Sequence, residues 1–151
     1  MIKIICVGKL KEKYWTDAVN EYLKRLSKYT KIELIEVNDS KVDNSIISLK
    51  QEKELILSKI SDKDYIITLE INGQQLTSKE LAKKIDVLTG IHSNLCFIIG
   101  GSNGIHDDII QKSSLHLSFS SLTFPHQLFR VMFLEQLYRA YKINNNESYH
   151  K

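Results

Sequence analysis

The chain has 151 residues, of which 42% are apolar and 26% charged, proportions that are ordinary for one soluble globular domain spanning residues 1–151. No apolar run reaches about 18 residues, and the N-terminal apolar stretch is too short for a signal peptide, so we expect a cytoplasmic protein with no membrane span or membrane partner. The formal net charge of +3 permits a nucleic-acid partner without requiring one, because such binding depends on clustered rather than summed charge.

The first half of the chain alternates segments that have the periods of strands and of helices. The apolar run Ile2–Val7 predicts a buried strand, and residues 14–29 predict an amphipathic helix after it. Residues 31–37 alternate apolar and polar side chains, as in a strand with one exposed face, and residues 48–60 predict a second helix.

The second half continues this alternation. Residues 65–70 predict a strand that ends in a turn at residues 72–75, and Thr77 and Glu80 have the spacing of a capping box for the helix that follows. Residues 95–100 and 115–120 predict two further strands, and Asp107 and Asp108 favour the start of a short helix between them. Strands without polar alternation are buried on both faces, so we predict an α/β fold with a mostly parallel sheet flanked by helices.

Pro125 is suited to the first turn of a final helix that ends near Ile143. Apolar side chains cover most of its circumference: Leu128, Phe129, Val131, Met132, Phe133, Leu134, Leu137, Tyr138 and Tyr141. A helix that is apolar on several faces must be covered on several faces, so we expect a homodimer in which a second copy supplies part of the cover. A deeply buried core helix in a monomer is the alternative.

Three loops follow the carboxyl ends of predicted strands, where parallel α/β sheets bind ligands: residues 69–73, 100–104 and 119–124. The glycines of the second loop, which allow close approach of a ligand to the backbone, have neither the dinucleotide nor the P-loop spacing. Because no lysine follows them, this turn suits an uncharged adenosine better than a triphosphate. A tight strand-to-helix connection with no ligand is the alternative.

Metal and nucleophilic chemistry have little support. The five histidines form no closely spaced pair, so we predict no metal site, and no G-x-S-x-G elbow marks a nucleophilic serine. Cys6 and Cys96 fall in separate apolar runs and are expected to be buried, reduced thiols.

Two segments, residues 8–15 and 139–151, combine cations with aromatic rings, which RNA binding uses for phosphates and bases. Lys9, Lys11 and Lys151 are therefore candidate RNA-binding residues. For each segment, an ordinary solvated face is the alternative.

Five motifs occur in order along the chain: VGKLKEKYW, ITLEINGQ, FIIGGSNG, LSFSSLTFPHQLFRVMFLEQLYRAYKI and a closing YHK. With these motifs the chain resembles, essentially from end to end, the RlmH family of bacterial 23S ribosomal RNA methyltransferases, within the SPOUT (α/β-knot) superfamily. The resemblance implies a C-terminal deep trefoil knot that holds S-adenosyl-L-methionine, a homodimer, and methylation of N3 of pseudouridine 1915 in helix 69 of 23S rRNA on the assembled ribosome.

The resemblance also implies roles for individual residues. Its cofactor contacts are Leu69, Gly100, Phe119, Ser120, Ser121, Leu122, Thr123 and Phe124. His126 and Arg130 would bind substrate, whereas Arg139, Tyr149 and His150 would form the catalytic group. We expect His150 to accept the imide proton or to hydrogen-bond the ring, Arg139 to stabilise the developing negative charge or to hold a phosphate, and Tyr149 to pack on the base.

The chain departs from some relatives at residues 144–148, NNNES, where they have an arginine and a glycine. Asn145 or Asn146 is expected to adopt the left-handed backbone that a glycine would supply. Two alternative functions stay open: a ribosome- or RNA-binding assembly factor without catalysis, and a SPOUT methyltransferase with a different RNA target.

Overall fold

The computed structural model describes residues 1–151 and contains every strand and helix that the sequence predicts. The strands are β1 (Ile2–Val7), β2 (Ile32–Val37), β3 (Asp64–Gln75), β4 (Asn94–Ile99) and β5 (Leu115–Ser118). The helices are α1 (Lys13–Leu26), α2 (Ser45–Leu57), α3 (Ser78–Ile91), α4 (Asp107–Lys112) and α5 (His126–Asn144).

The five strands form one all-parallel sheet in the order β2-β1-β4-β3-β5. The inner strand β1 is buried along its whole length, including its one charged residue Lys3, and the central strand β4 is buried along all but its first residue, as their largely apolar sequences predict. The edge strand β2 alternates between more and less exposed residues over most of its length. These observations confirm the predicted α/β class with a parallel sheet flanked by helices.

Two hydrophobic clusters lie on opposite faces of the sheet. The larger one packs α1, α3 and α5 against the sheet, with the rings of Phe97 and Phe133 at a centroid separation of 4.8 Å. The smaller one joins the other face to α2 and α4 through Ile56 and Ile109. Each fully buried apolar side chain of this size contributes roughly 1.5–3 kcal/mol, so the two clusters hold both helix layers on the sheet.

Two local signals for helix starts are confirmed and one is displaced. The Thr77 hydroxyl accepts from the Glu80 amide at 3.1 Å while the Glu80 carboxylate accepts from the Thr77 amide at 2.7 Å, which completes the capping box. Asp107 and Asp108 occupy the first turn of α4 as expected. Pro125 lies one position before α5 rather than in its first turn.

The predicted end of β3 is wrong. The strand continues beyond Glu70 to Gln75, but Leu69 and Gln74 both pair with Leu117, so residues 70–73 bulge out of register. Residues 74 and 75 are polar and exposed, and their pairing with β5 uses the backbone, which leaves no apolar signal in the sequence. The bulge places Glu70 and Ile71 at the carboxyl edge of the sheet.

Helix α5 packs against both α1 and α3. Its fully buried residues include Phe133, Leu134 and Leu137, whereas Val131 and Met132 stay partly exposed beside a groove on the outer surface. The monomer therefore covers only part of the helix. Homodimerisation and the threading of the C-terminal segment stay predictions.

Several smaller expectations can be compared with the structure. Cys6 and Cys96 are buried and form no disulfide, as expected, and burial raises the pKa of each thiol to about 12. Asn146 adopts the left-handed backbone at φ 54°, as expected for one of the two asparagines. No helix has the length and apolarity needed to span a bilayer, and no group of three potential metal ligands occurs.

Candidate active site

A cleft of about 520 Å³ opens at the carboxyl edge of the sheet, between the bulged part of β3, the loops that follow β4 and β5, and the start of α5. This is where a parallel α/β sheet is expected to bind a ligand. Seven of the eight predicted cofactor residues line it: Leu69, Gly100, Phe119, Ser120, Leu122, Thr123 and Phe124. Ser121 is on the same loop but is exposed and does not line the cleft.

The glycine turn after β4 is closed by its own backbone. The Gly104 amide donates to the Gly101 carbonyl at 3.0 Å, and Gly104 has φ +81°, which favours glycine. A Cβ on Gly100 would lie 2.4 Å from the Gly104 carbonyl oxygen. The sequence suggests that the glycines admit a ligand, but the structure shows that Gly100 is needed first for the turn to close.

The cleft is mostly apolar and carries few ionisable groups. Glu70 and His126 are the only ionisable side chains among its lining residues, and no lysine or arginine lines it. Burial and the nearby Arg130 guanidinium lower the pKa of His126, which favours its neutral form, and its Nδ1 has no hydrogen-bond partner. A cleft of this kind suits an adenosine better than a di- or triphosphate, which would need cations.

Arg130 is buried, in contrast to the expectation that it binds substrate. Its Nη1 donates to Glu36 Oε2 at 2.6 Å and its Nη2 donates to the Gly8 carbonyl at 3.1 Å. Glu36 Oε2 also accepts from the Leu10 amide at 3.2 Å. Because both guanidinium contacts are internal, Arg130 joins α5 to the loop between β1 and α1 instead of presenting its charge to RNA.

The loop between β1 and α1 carries the two candidate RNA-binding lysines, Lys9 and Lys11, both of which are exposed. The Lys11 amide donates to Gln127 Oε1 at 2.9 Å, which fixes this loop beside the first turn of α5. Since His126 in that turn lines the cleft, the two lysines lie on the side of the molecule where the cleft opens. Lys151, also exposed, lies at the other end of the chain.

The three predicted catalytic residues form a separate cluster around Glu135. Arg139 Nε and the Tyr149 hydroxyl both donate to Glu135 Oε1, at 3.1 and 3.0 Å. The Arg139 guanidinium also lies over the Tyr149 ring, 4.9 Å from its centroid. Burial and the bond to Glu135 raise the pKa of Tyr149 to about 12, so its hydroxyl stays protonated at neutral pH.

The contact between Arg139 and His150 defines which nitrogen of the His150 imidazole carries the proton. Arg139 Nη1 lies 3.1 Å from His150 Nδ1, and a guanidinium can only donate. His150 Nδ1 must therefore accept this bond, which leaves the ring proton on Nε2. In this arrangement Nε2 can donate to a substrate oxygen but cannot take a proton from it.

The structure does not bring this cluster to the cleft of the same chain. None of Arg139, Tyr149 and His150 lines the cleft. The cleft lies at the start of α5, and Arg139 follows His126 by thirteen residues, which corresponds to about 20 Å along the helix axis. Side chains cannot span that distance within a single chain.

Comparison with known proteins decides the family. A family model described as "Predicted SPOUT methyltransferase" matches residues 1–150. The chain belongs to the SPOUT methyltransferase family.

The fold of this SPOUT methyltransferase is also found in solved structures. One of them is a probable methylase family protein from Haemophilus influenzae Rd KW20, which superimposes with a TM-score of 0.57 at 14% sequence identity. The match covers 99% of this chain and 70% of the other. At this identity the likeness shows a shared fold.

Three glutamates of the SPOUT methyltransferase site were not among the residues predicted from the sequence. Glu135 lies four residues before Arg139, and this helical spacing could have revealed their ion pair. Glu70 directly follows the apolar run of β3, where a ligand-facing side chain is expected. Glu36, by contrast, is separated from Arg130 by 94 residues, and nothing local indicates their pairing.

Replacing Glu36 with alanine is expected to destabilise this SPOUT methyltransferase by about 3 kcal/mol, because it leaves the buried Arg130 guanidinium without its counter-ion. The midpoint of thermal unfolding should fall by about 6–12 °C. Glu33→Ala is a matched control, since Glu33 lies on the same strand, is exposed and has no side-chain partner. Equal midpoints for the two variants would contradict a structural role for the ion pair.

Proposed function

We propose that this SPOUT methyltransferase uses S-adenosyl-L-methionine to methylate N3 of a pseudouridine in helix 69 of bacterial 23S rRNA within the assembled ribosome. The observation that carries the proposal is the cleft, because three motifs of the RlmH resemblance meet in it. The exposed Lys9, Lys11 and Lys151 support an RNA substrate. The family membership supports methyl transfer.

The residues of the cleft fit the proposed cofactor. A volume of about 520 Å³ lies within the range of roughly 300–1,000 Å³ that small-molecule sites occupy. Ile99, Phe119 and Phe129 offer apolar surface for a purine, and the backbone of residues 119–124 offers polar groups. The bound cofactor would supply a methyl group activated by its sulfonium charge.

The reaction further requires that the imide nitrogen loses its proton, which we propose passes to solvent water because no side chain of the cluster is free to accept it, and that the resulting negative charge on the ring is stabilised. We propose that Arg139 supplies this stabilisation and that His150 donates a hydrogen bond from Nε2 to a ring oxygen. Tyr149, held by Glu135 and stacked under the guanidinium, keeps Arg139 in position. With His150 Nδ1 engaged by Arg139, hydrogen bonding to the ring is favoured over removal of its proton.

We further propose that the active centre is completed by a homodimer. The cleft and the Arg139 cluster are both equipped for their tasks but lie at opposite ends of α5 in one chain. The partly exposed face of that helix, with Val131 and Met132, is the surface through which a second copy would pack. Such packing would place the cluster of one chain at the cleft of the other.

Mass spectrometry of large-subunit RNA from cells with and without this gene tests the target. We expect one pseudouridine to lose its methyl group, and a plasmid copy of the gene to restore it. Unchanged RNA would contradict the proposal, and loss of a methyl group from another RNA would indicate a SPOUT methyltransferase with a different target. Methylation assays on purified 70S ribosomes and on free 23S rRNA identify the form of the substrate.

Calorimetry with S-adenosyl-L-methionine separates the enzyme from a ribosome- or RNA-binding assembly factor. Binding heat with a saturable isotherm is expected for the enzyme. Its absence in the folded wild-type protein would favour the assembly factor, because such a protein has no use for the cofactor.

A further inference from the structure

Glu70 occupies a distinctive place in the cleft. It is the first residue of the bulge in β3 and directly follows Leu69, one of the proposed cofactor contacts. It is also the only acidic side chain that lines the cleft. Burial and the nearby Arg130 guanidinium lower the pKa of the other ionisable lining residue, His126, which favours its neutral form.

The Glu70 carboxylate is held in place from one side. Its Oε2 accepts from the hydroxyl of Thr68 at 2.8 Å and lies 3.4 Å from Nδ1 of His116. Thr68 is fully buried, and its amide is in turn bonded to the Ser113 hydroxyl at 3.1 Å. His116 Nδ1 also lies 3.0 Å from the Thr68 hydroxyl. These contacts fix the orientation of the carboxylate through Oε2 alone.

The second oxygen is left for a ligand. Glu70 Oε1 has no hydrogen-bond partner in the chain, although the side chain is only 18% exposed. No lysine or arginine lines the cleft to neutralise it. A fixed carboxylate in a mostly apolar cleft interacts more strongly with a cation than the same group would in water.

We propose that Glu70 binds the positively charged methionine portion of the cofactor and favours the methylated cofactor over its demethylated by-product. This inference rests on the proposed use of S-adenosyl-L-methionine. S-adenosyl-L-methionine carries two positive charges, a sulfonium and an ammonium, and one negative charge on its own carboxylate. S-adenosylhomocysteine has lost the sulfonium charge. A carboxylate in the cleft therefore discriminates between the two and assists release of the by-product.

Calorimetric titration of wild type and Glu70→Gln with three adenosyl compounds tests this. We expect S-adenosyl-L-methionine to bind the variant about tenfold to a hundredfold more weakly, the size of effect associated with hydrogen bonds to charged groups. S-adenosylhomocysteine keeps the ammonium as its only positive charge, so the substitution should weaken its binding less. 5′-Methylthioadenosine, which lacks both charges, should bind wild type and variant alike.

The amide oxygen of the variant can still accept from Thr68, so its thermal unfolding midpoint should stay close to that of wild type. Glu33→Gln removes one negative charge from an exposed position on β2 and should leave all three affinities unchanged. Equal losses for all three compounds would overturn the inference in favour of a contact to the ribose hydroxyls. An unchanged affinity for S-adenosyl-L-methionine would overturn it outright.

If the proposed function itself is wrong, the same titrations give a result that differs from a failure of the Glu70 role alone. A folded wild-type protein that binds none of the three compounds would contradict the use of an adenosyl cofactor, and the role of Glu70 with it. A wild-type protein that binds them normally while Glu70→Gln shows no selective loss would overturn only the role of Glu70.

Discussion

Replacing Gly100 with alanine is expected to weaken cofactor binding strongly and to slow methyl transfer about a hundredfold. The new methyl group would lie 2.4 Å from the Gly104 carbonyl oxygen and 2.8 Å from Ile105, and the first of these neighbours is backbone that cannot rotate away. The turn must shift, and a displacement of about 1 Å in a substrate-positioning element costs roughly a hundredfold in rate. Overpacking of this kind should also lower stability by about 1–3 kcal/mol.

Gly90→Ala is the matched control for that substitution. Gly90 lies inside α3, and a Cβ there would have nothing within 4 Å. Alanine is favoured over glycine in a helix by roughly 0.5–1 kcal/mol, so this variant should be slightly more stable and fully active. Cofactor titration and thermal unfolding of both variants provide the comparison. A Gly100→Ala protein with wild-type affinity would show that the turn is not part of the binding site.

Two inactive variants should restore activity to one another in a mixed dimer. The first carries Gly100→Ala in the cleft, and the second carries Arg139→Ala and His150→Ala in the distal cluster. If each active centre combines the cleft of one chain with the cluster of the other, the mixed dimer has one intact centre. Its single-turnover rate on ribosomes, with saturating cofactor, should reach about half that of wild type, whereas each parent homodimer should fall about a hundredfold or more.

The reciprocal combination provides the control. A dimer of one wild-type chain and one chain carrying all three substitutions should be inactive if the centres are shared between chains, since every centre then contains a damaged half. It should keep about half of the wild-type activity if each chain works alone. Activity in this dimer together with none in the mixed dimer would contradict the shared centre. Differential affinity tags isolate each species before the assay.

The sequence is most informative where local patterns decide the structure. The apolar runs of β1 and β4 are sufficient to predict buried parallel strands, and Thr77 with Glu80 predicts the start of α3 because a capping box is a local arrangement. The position of the cleft could also be predicted, since the carboxyl ends of parallel strands meet at one edge. The assignment of individual residues within them depended on the resemblance to a known family.

What the sequence could not reveal depends on contacts between distant segments. The family resemblance suggests that Arg130 binds substrate, but Arg130 on α5 is buried and pairs with Glu36 on the distant strand β2. The continuation of β3 past Glu70 depends on backbone bonds to β5, which has only four residues of its own. The separation of Arg139 from the cleft becomes evident only when α5 is seen to be one continuous helix between them.

The turn between β4 and α4 is closed by hydrogen bonds within the chain. Its closing bond from the Gly104 amide to the Gly101 carbonyl is internal, and the Ser48 hydroxyl on α2 accepts from the Asn103 side chain at 3.4 Å. A binding element that is already ordered loses little conformational entropy when its ligand arrives, so more of the contact energy remains as affinity. This side of the cleft is therefore ordered before binding, and that order would favour high affinity even for a small, weakly polar nucleoside.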